Sequence, residues 1–120
     1  MEEKVYREEV WALDFTLSRW LLPRLRMFKQ EVIRIPCYPG RFIKEELGGR
    51  NEWEIDEEER KQMSERAFNK WLDIIDEMIE GCEIIANSNG GSLDMLEGDG
   101  HQKAKRTYYL IYEYLEFLWV

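Results

Sequence analysis

Histidine is nearly missing from this chain and cysteine is scarce: His101, Cys37 and Cys82 are all that 120 residues supply. That set cannot assemble a structural zinc site, which takes four closely spaced Cys or His ligands. Nor does it offer a nucleophile beside a base, because His101 stands in a Gly-bounded stretch with nothing to pair it with either thiol. The cysteines read as reduced thiols of a cytosolic protein, Cys82 packed on the apolar face of a helix. Long apolar runs are missing too. No stretch approaches the roughly 20 residues that span a bilayer, and the opening Met1-Glu2-Glu3-Lys4 lacks the pattern of a secretory signal. The expectation is a soluble, intracellular protein with no membrane partner. A phosphate-cradling loop is absent as well, since Leu47-Gly48-Gly49-Arg50 has neither the spacing nor the flanks of one.

What is present is a chain of one domain's length, residues 1–120, able to bury about two-thirds of its unfolded surface without staples. Its net charge of −8 is unevenly spread. Residues 1–50 carry ten Lys and Arg against eight Asp and Glu, residues 51–100 carry four against fifteen, and the rest carry three against two. An acidic middle disfavours direct docking on nucleic acid, which needs clustered cations to release counterions. It suits a basic partner protein or plain solubility.

Apolar spacing predicts three major helices. From about Val5 to Arg34, Val10, Leu13, Leu17, Leu21, Leu25, Phe28 and Val32 fall three or four apart, as one amphipathic helix or two joined pieces. Asp14 offers a start, and Pro23 inside the pattern predicts a kink near Arg19 to Pro23. Arg19, Arg24, Arg26 and Lys29 lie off the stripe, placed to pair with an acidic neighbour. Residues Ile35 to Glu54, broken by Pro36, Pro39-Gly40 and Gly48-Gly49, read as a long loop or short hairpin. Long ordered loops often carry function, which makes Tyr38 and Arg41 candidate docking residues; the plain alternative is that Tyr38, Phe42 and Ile43 only cap the core.

The second helix begins at Asp56, with Glu59 completing a capping box. Its stripe is Phe68, Trp71, Leu72, Ile75, Met78, Ile79, Cys82 and Ile85, and it runs to about Asn87. Gly81 within it marks a close helix approach. An Asn/Ser/Gly link follows, in which Ser92 starts a short turn through Leu93, Met95 and Leu96 before Gly98-Asp99-Gly100 breaks it. The third helix spans Lys103 to Val120 with the stripe Ala104, Tyr108, Ile111, Leu115 and Leu118. Tyr109, Tyr112, Tyr114, Phe117 and Trp119 take its other sides, leaving almost no polar face. Such a helix must be covered by its own domain or by a partner, so these aromatics are candidate docking residues and suggest a homodimer.

The acidic residues Asp73, Asp76, Glu77, Glu80 and Glu83 line one side of the second helix, and Glu113 and Glu116 repeat the spacing on the third. Facing carboxylates hold Mg²⁺ in all-α nucleotide pyrophosphohydrolases. An acidic exterior generates this spacing by itself, and no cationic set for substrate phosphates stands beside it, so no metal, cofactor or catalysis is expected. Lys103, Lys105 and Arg106 open the third helix, and Arg19 and Arg24 stand on the first; they are the candidate cations for an anion or nucleotide.

The string Trp11-Ala12-Leu13-Asp14-Phe15-Thr16, Leu21-Leu22-Pro23-Arg24-Leu25, Trp71 with Asp76-Glu77-Met78-Ile79, and Leu118-Trp119 resembles a group of small all-α proteins of tailed bacteriophages. The likeness covers about half the chain. It implies a phage origin and carries no activity or site residue. Trp11 and Asp14 would form a clasp at the helix entry, Asp14 capping or pairing with an Arg. In the alternative, Asp14, Arg19, Trp20 and Arg24 line a pocket.

The expectation is thus an all-α, compact three-helix or four-helix bundle with antiparallel neighbours, a kinked first helix and a long first loop. The functional expectation is a non-catalytic phage protein of the host cytoplasm that binds and inhibits a host or bacterial-defence protein. A virion or assembly accessory is the alternative, with a nucleotide-signal sponge third.

Overall fold

The computed structural model describes residues 4–10, 12–88 and 98–118, and among them every regular element is helical. Four α-helices pack on one another: α1 (Leu13–Arg34), α2 (Arg41–Leu47), α3 (Glu57–Ala86) and α4 (Gly98–Tyr114). Short 3₁₀ turns cover Arg7–Val10, Glu52–Glu54 and Leu115–Phe117. The 30-residue α3 is the centre, with α1 and α4 antiparallel to it on either flank and α2 across one end.

The first apolar pattern divides in two, the 3₁₀ turn and then a 22-residue α1. Ala12, not Asp14, holds the cap position; Asp14 lies in the first turn, where its carboxylate accepts the Phe15 amide at 2.9 Å. Pro23 lies within α1 and has no amide for the Arg19 carbonyl. The neighbouring Trp20 carbonyl accepts Arg24 Nη1 at 2.8 Å. The packed face departs from the stripe in the sequence: Ser18, Leu25 and Val32 are buried, whereas Val10, Leu13 and Leu17 are exposed. Successive steps of four, as from Leu13 to Leu17 to Leu21, rotate a stripe by about 40° each. A recurrence every seven residues instead keeps facing one long neighbour.

The long loop is a correction. Residues 35–54 hold a helix, because Gly40 and Gly48 bound it rather than break it. The Phe42 amide donates to the Pro39 carbonyl at 3.1 Å and the Ile43 amide to Gly40 at 3.1 Å. At the far end Gly48 takes the left-handed φ of 57° and its amide closes on Lys44 at 3.2 Å. Phe42 and Leu47 of α2 are buried against α3.

In α3, Asp56 caps as expected, accepting the Glu59 amide at 2.7 Å. The Glu59 carboxylate goes to Arg50 Nη1 at 2.7 Å. Trp71, Ile75, Met78, Cys82 and Ile85 are buried, and Met63 and Ala67 extend the stripe toward the N-terminus. Trp71 is the hub, with ring centroids 6.3 Å from Phe28 of α1, 6.2 Å from Phe42 of α2 and 5.5 Å from Tyr114 of α4. At Gly81 α4 comes close: a Cβ there would lie 1.6 Å from Thr107 Oγ1 and 2.5 Å from Thr107 Cβ.

Gly98-Asp99-Gly100, expected to break the chain, forms the first turn of α4, and the helix ends at Tyr114 rather than Val120. Its inward residues are Ala104, Thr107, Leu110 and Tyr114, so the face is turned relative to the expected stripe and Leu115 is exposed. The turn expected at Ser92 to Leu96 lies outside the described residues. The dimensions are those of an elongated molecule. The radius of gyration is 17.7 Å over extents of 57 × 41 × 22 Å, against about 14 Å for a compact chain of this length. The shape is elongated, and one side of α1, with Leu13, Leu17, Trp20 and Met27, is open to solvent.

Candidate functional site

The segment Ile35-Pro36-Cys37-Tyr38-Pro39 leaves α1 with no regular structure, since residues before proline are held out of the helical region. It faces the 3₁₀ turn that follows α4, and between them opens a cleft of about 460 Å³. Trp71 is its floor, Ile35, Cys37, Tyr38, Pro39 and Phe117 its walls, and Glu31 and Arg34 its rim. Tyr38 is fixed by its hydroxyl, which donates to Ser64 Oγ at 3.1 Å. The rim residues are bound to each other, Arg34 donating to Glu31 Oε2 at 2.6 Å through Nη2 and 3.2 Å through Nε.

Behind Phe117, Arg41 of α2 lies 4.3 Å over the Tyr114 ring and 5.9 Å from that of Phe117, while its Nη1 holds Glu113 Oε1 at 3.0 Å. Arg41 Nε is buried without a hydrogen-bond partner. The guanidinium ties α2, α4 and the terminal turn together, and so sets where Phe117 stands. The chemistry on offer is that of a receiving pocket: apolar surface, a stacked cation behind it and an exposed thiol at Cys37. No histidine is among the lining residues.

Four of the residues singled out in the sequence therefore converge, and the other described ones do not. Tyr38 and Phe117 line the cleft and Arg41 braces it; Tyr114, expected on a docking surface, is buried behind it in the core. Tyr109 and Tyr112 project from the outer face of α4, 59% and 81% exposed, away from the cleft lining. Trp119 and Trp11 lie outside the described residues. Of the candidate cations, Lys103 and Arg106 are held by Glu80 at 2.9 Å and Glu77 at 3.0 Å. Lys105 shares a shallow depression with Gln102 and Tyr109. Arg19 and Arg24 lie over the Phe15 and Trp20 rings, at 5.5 and 3.9 Å, on the solvent side of α1.

The acidic residues of α3 do not line one side. Asp76 and Glu83 turn to Lys29 and Arg26 of α1, while Glu77 and Glu80 turn to α4. Cys82 adjoins a buried polar group in which Tyr108 donates to the Asp14 carbonyl at 2.6 Å and accepts from Ser18. Burial pushes the Cys82 thiol up to about 11, with Ser18 opposing, and burial likewise raises Tyr108. Both stay neutral near pH 7.

Sequence reasoning missed Trp71 as a cleft floor, because its spacing marks it only as core, and did not single out Glu31 or Arg34. The signal that pointed here was the pair of prolines around Cys37-Tyr38. No family model, curated protein or solved structure matches the chain.

Proposed function

We propose that the chain is a non-catalytic bacteriophage protein that works in the host cytoplasm by binding and inhibiting a host or bacterial-defence protein. In this reading the cleft between the Ile35 to Pro39 segment and Phe117 receives an apolar side chain of the partner. The observation that carries it is the cleft itself, a cavity of about 460 Å³ with a tryptophan floor and aromatic walls, within the usual range of small binding pockets. Aromatic anchors in such pockets dominate the energetics of protein interfaces. The ion pairs add support by elimination: most cations near the acidic helix are already matched by its carboxylates, so charge alone is a poor handle for a partner. The finer architecture belongs to the same proposal, a three-helix bundle braced by α2 with a bend in α1 at Arg19 to Pro23.

Affinity capture from host lysate by the tagged full chain tests the reading. A partner held by the wild type and lost on Phe117→Ala supports it. A nucleotide-sponge reading keeps one observation, the depression of Gln102, Lys103, Lys105, Arg106 and Tyr109. Two of its three cations are committed to Glu80 and Glu77, which weakens it.

A further inference from the structure

Helix α1 carries two faces with coiled-coil spacing. Ser18, Leu25 and Val32, seven apart, pack inward. About 120° round the helix from them, Leu13, Leu17, Trp20, Arg24, Met27 and Glu31 follow one another in alternating steps of four and three. That alternation is the seam by which one helix receives another. Four of these side chains are large, apolar and open to solvent: Leu13 is 64% exposed, Leu17 43%, Trp20 55% and Met27 65%. Among the described residues, no other helix covers them.

We infer that this outer seam of α1 is the contact between two copies of the chain, arranged antiparallel. Charge and register choose the occupant. The chain as a whole carries −8, yet the acidic residues of α3 are turned elsewhere, and Arg26 and Lys29 face Glu83 and Asp76 rather than the seam. Along the seam only Arg24 and the Glu31–Arg34 pair are charged. A second copy therefore meets little like charge here. A parallel pairing would set Arg24 against Arg24 and Glu31 against Glu31. An antiparallel pairing with its two-fold axis between Trp20 and Arg24 sets Leu17 against the partner's Met27 and Trp20 against the partner's Arg24. Arg24 already lies 3.9 Å over its own Trp20 ring, and the second indole offers the same cation another face.

The seam is short. From Leu13 to Glu31 it measures about 27 Å and a helix is about 10 Å across, so each copy covers on the order of 270 Å². That is below the roughly 800 Å² per partner of stable complexes, so the dimer is reversible and weak, with Kd on the order of 10–100 μM.

Sedimentation equilibrium of the full chain from about 1 to 300 μM, bracketing that Kd, gives the first readout. The expected result is a monomer–dimer equilibrium that Leu17→Glu and Trp20→Glu abolish while leaving the thermal melt of the monomer in place, both residues being exposed. A second readout fixes the register: in a Cys37→Ser background, Leu17→Cys mixed with Met27→Cys forms a mixed disulfide dimer in preference to either variant alone. A monomer across the range, a dimer untouched by both charged substitutions, or preferential Leu17→Cys self-linking overturns the inference.

Discussion

Gly81 shows how much a single missing side chain can decide. Its backbone lies so close to α4 that any Cβ would meet Thr107 near the base of that side chain, where no rotamer change makes room. Thr107 is itself fixed, donating to Lys103 and Glu77 carbonyls at 3.0 and 3.2 Å. Gly81→Ala should therefore push α4 off α3 and cost about 1–3 kcal/mol or more, although alanine is the better helix former. Urea denaturation checks the sign: stabilisation by this substitution would mean the helices do not touch there. Cys82 gives a pH prediction. Its folded value, pushed up to about 11 by burial, stands above the ordinary 9.0, so the neutral thiol's contribution is complete below about pH 9 and is lost as pH rises toward 11. Stability should fall across that window. The fall should shrink in Cys82→Ala, leaving the part that belongs to Tyr108, whose burial acts in the same direction.

At the scale of elements, starts and stops were legible where the chemistry is local. Asp56 was readable as a cap because a carboxylate before an acidic first turn serves free amides wherever it occurs, and it does so here at 2.7 Å. Asp56→Ala should cost about 1 kcal/mol, measured from the urea midpoint, while no loss would show that α3 begins without its cap. The face of α1 was not legible, because its apolar residues serve two seams and spacing alone cannot say which one a neighbour occupies. Helix α2 was hidden for a different reason. Seven residues between glycines look like a loop, and what makes them helical is Phe42 seated beside Trp71 at 6.2 Å, a contact distant in sequence. The end of α4 was misplaced likewise, since its aromatics continue past Tyr114 while the backbone turns to 3₁₀.

For the whole molecule, charge was the readable property and shape was not. The cations drawn to an acidic central helix are found there, Arg26 and Lys29 from one flank, Lys103 and Arg106 from the other. All four pairs are solvent-facing, each worth at most about 1 kcal/mol, so they orient the helices more than they hold them. The cleft was half legible. Tyr38, Arg41 and Phe117 were singled out from turn chemistry and aromatic surplus, whereas Trp71, Glu31 and Arg34 enter only because α1, α3 and the terminal turn meet at one end. No local pattern reports that meeting. We propose that this end of the molecule, and not the outer face of α4, receives a partner. The measurement that tests it most directly is quantitative affinity capture from host lysate with wild type, Phe117→Ala and Tyr112→Ala side by side, each shown to be folded by its melt. The expected result is one stoichiometric partner that survives Tyr112→Ala and is lost with Phe117→Ala. Retention on Phe117→Ala with loss on Tyr112→Ala, or no stoichiometric partner at all, would contradict it.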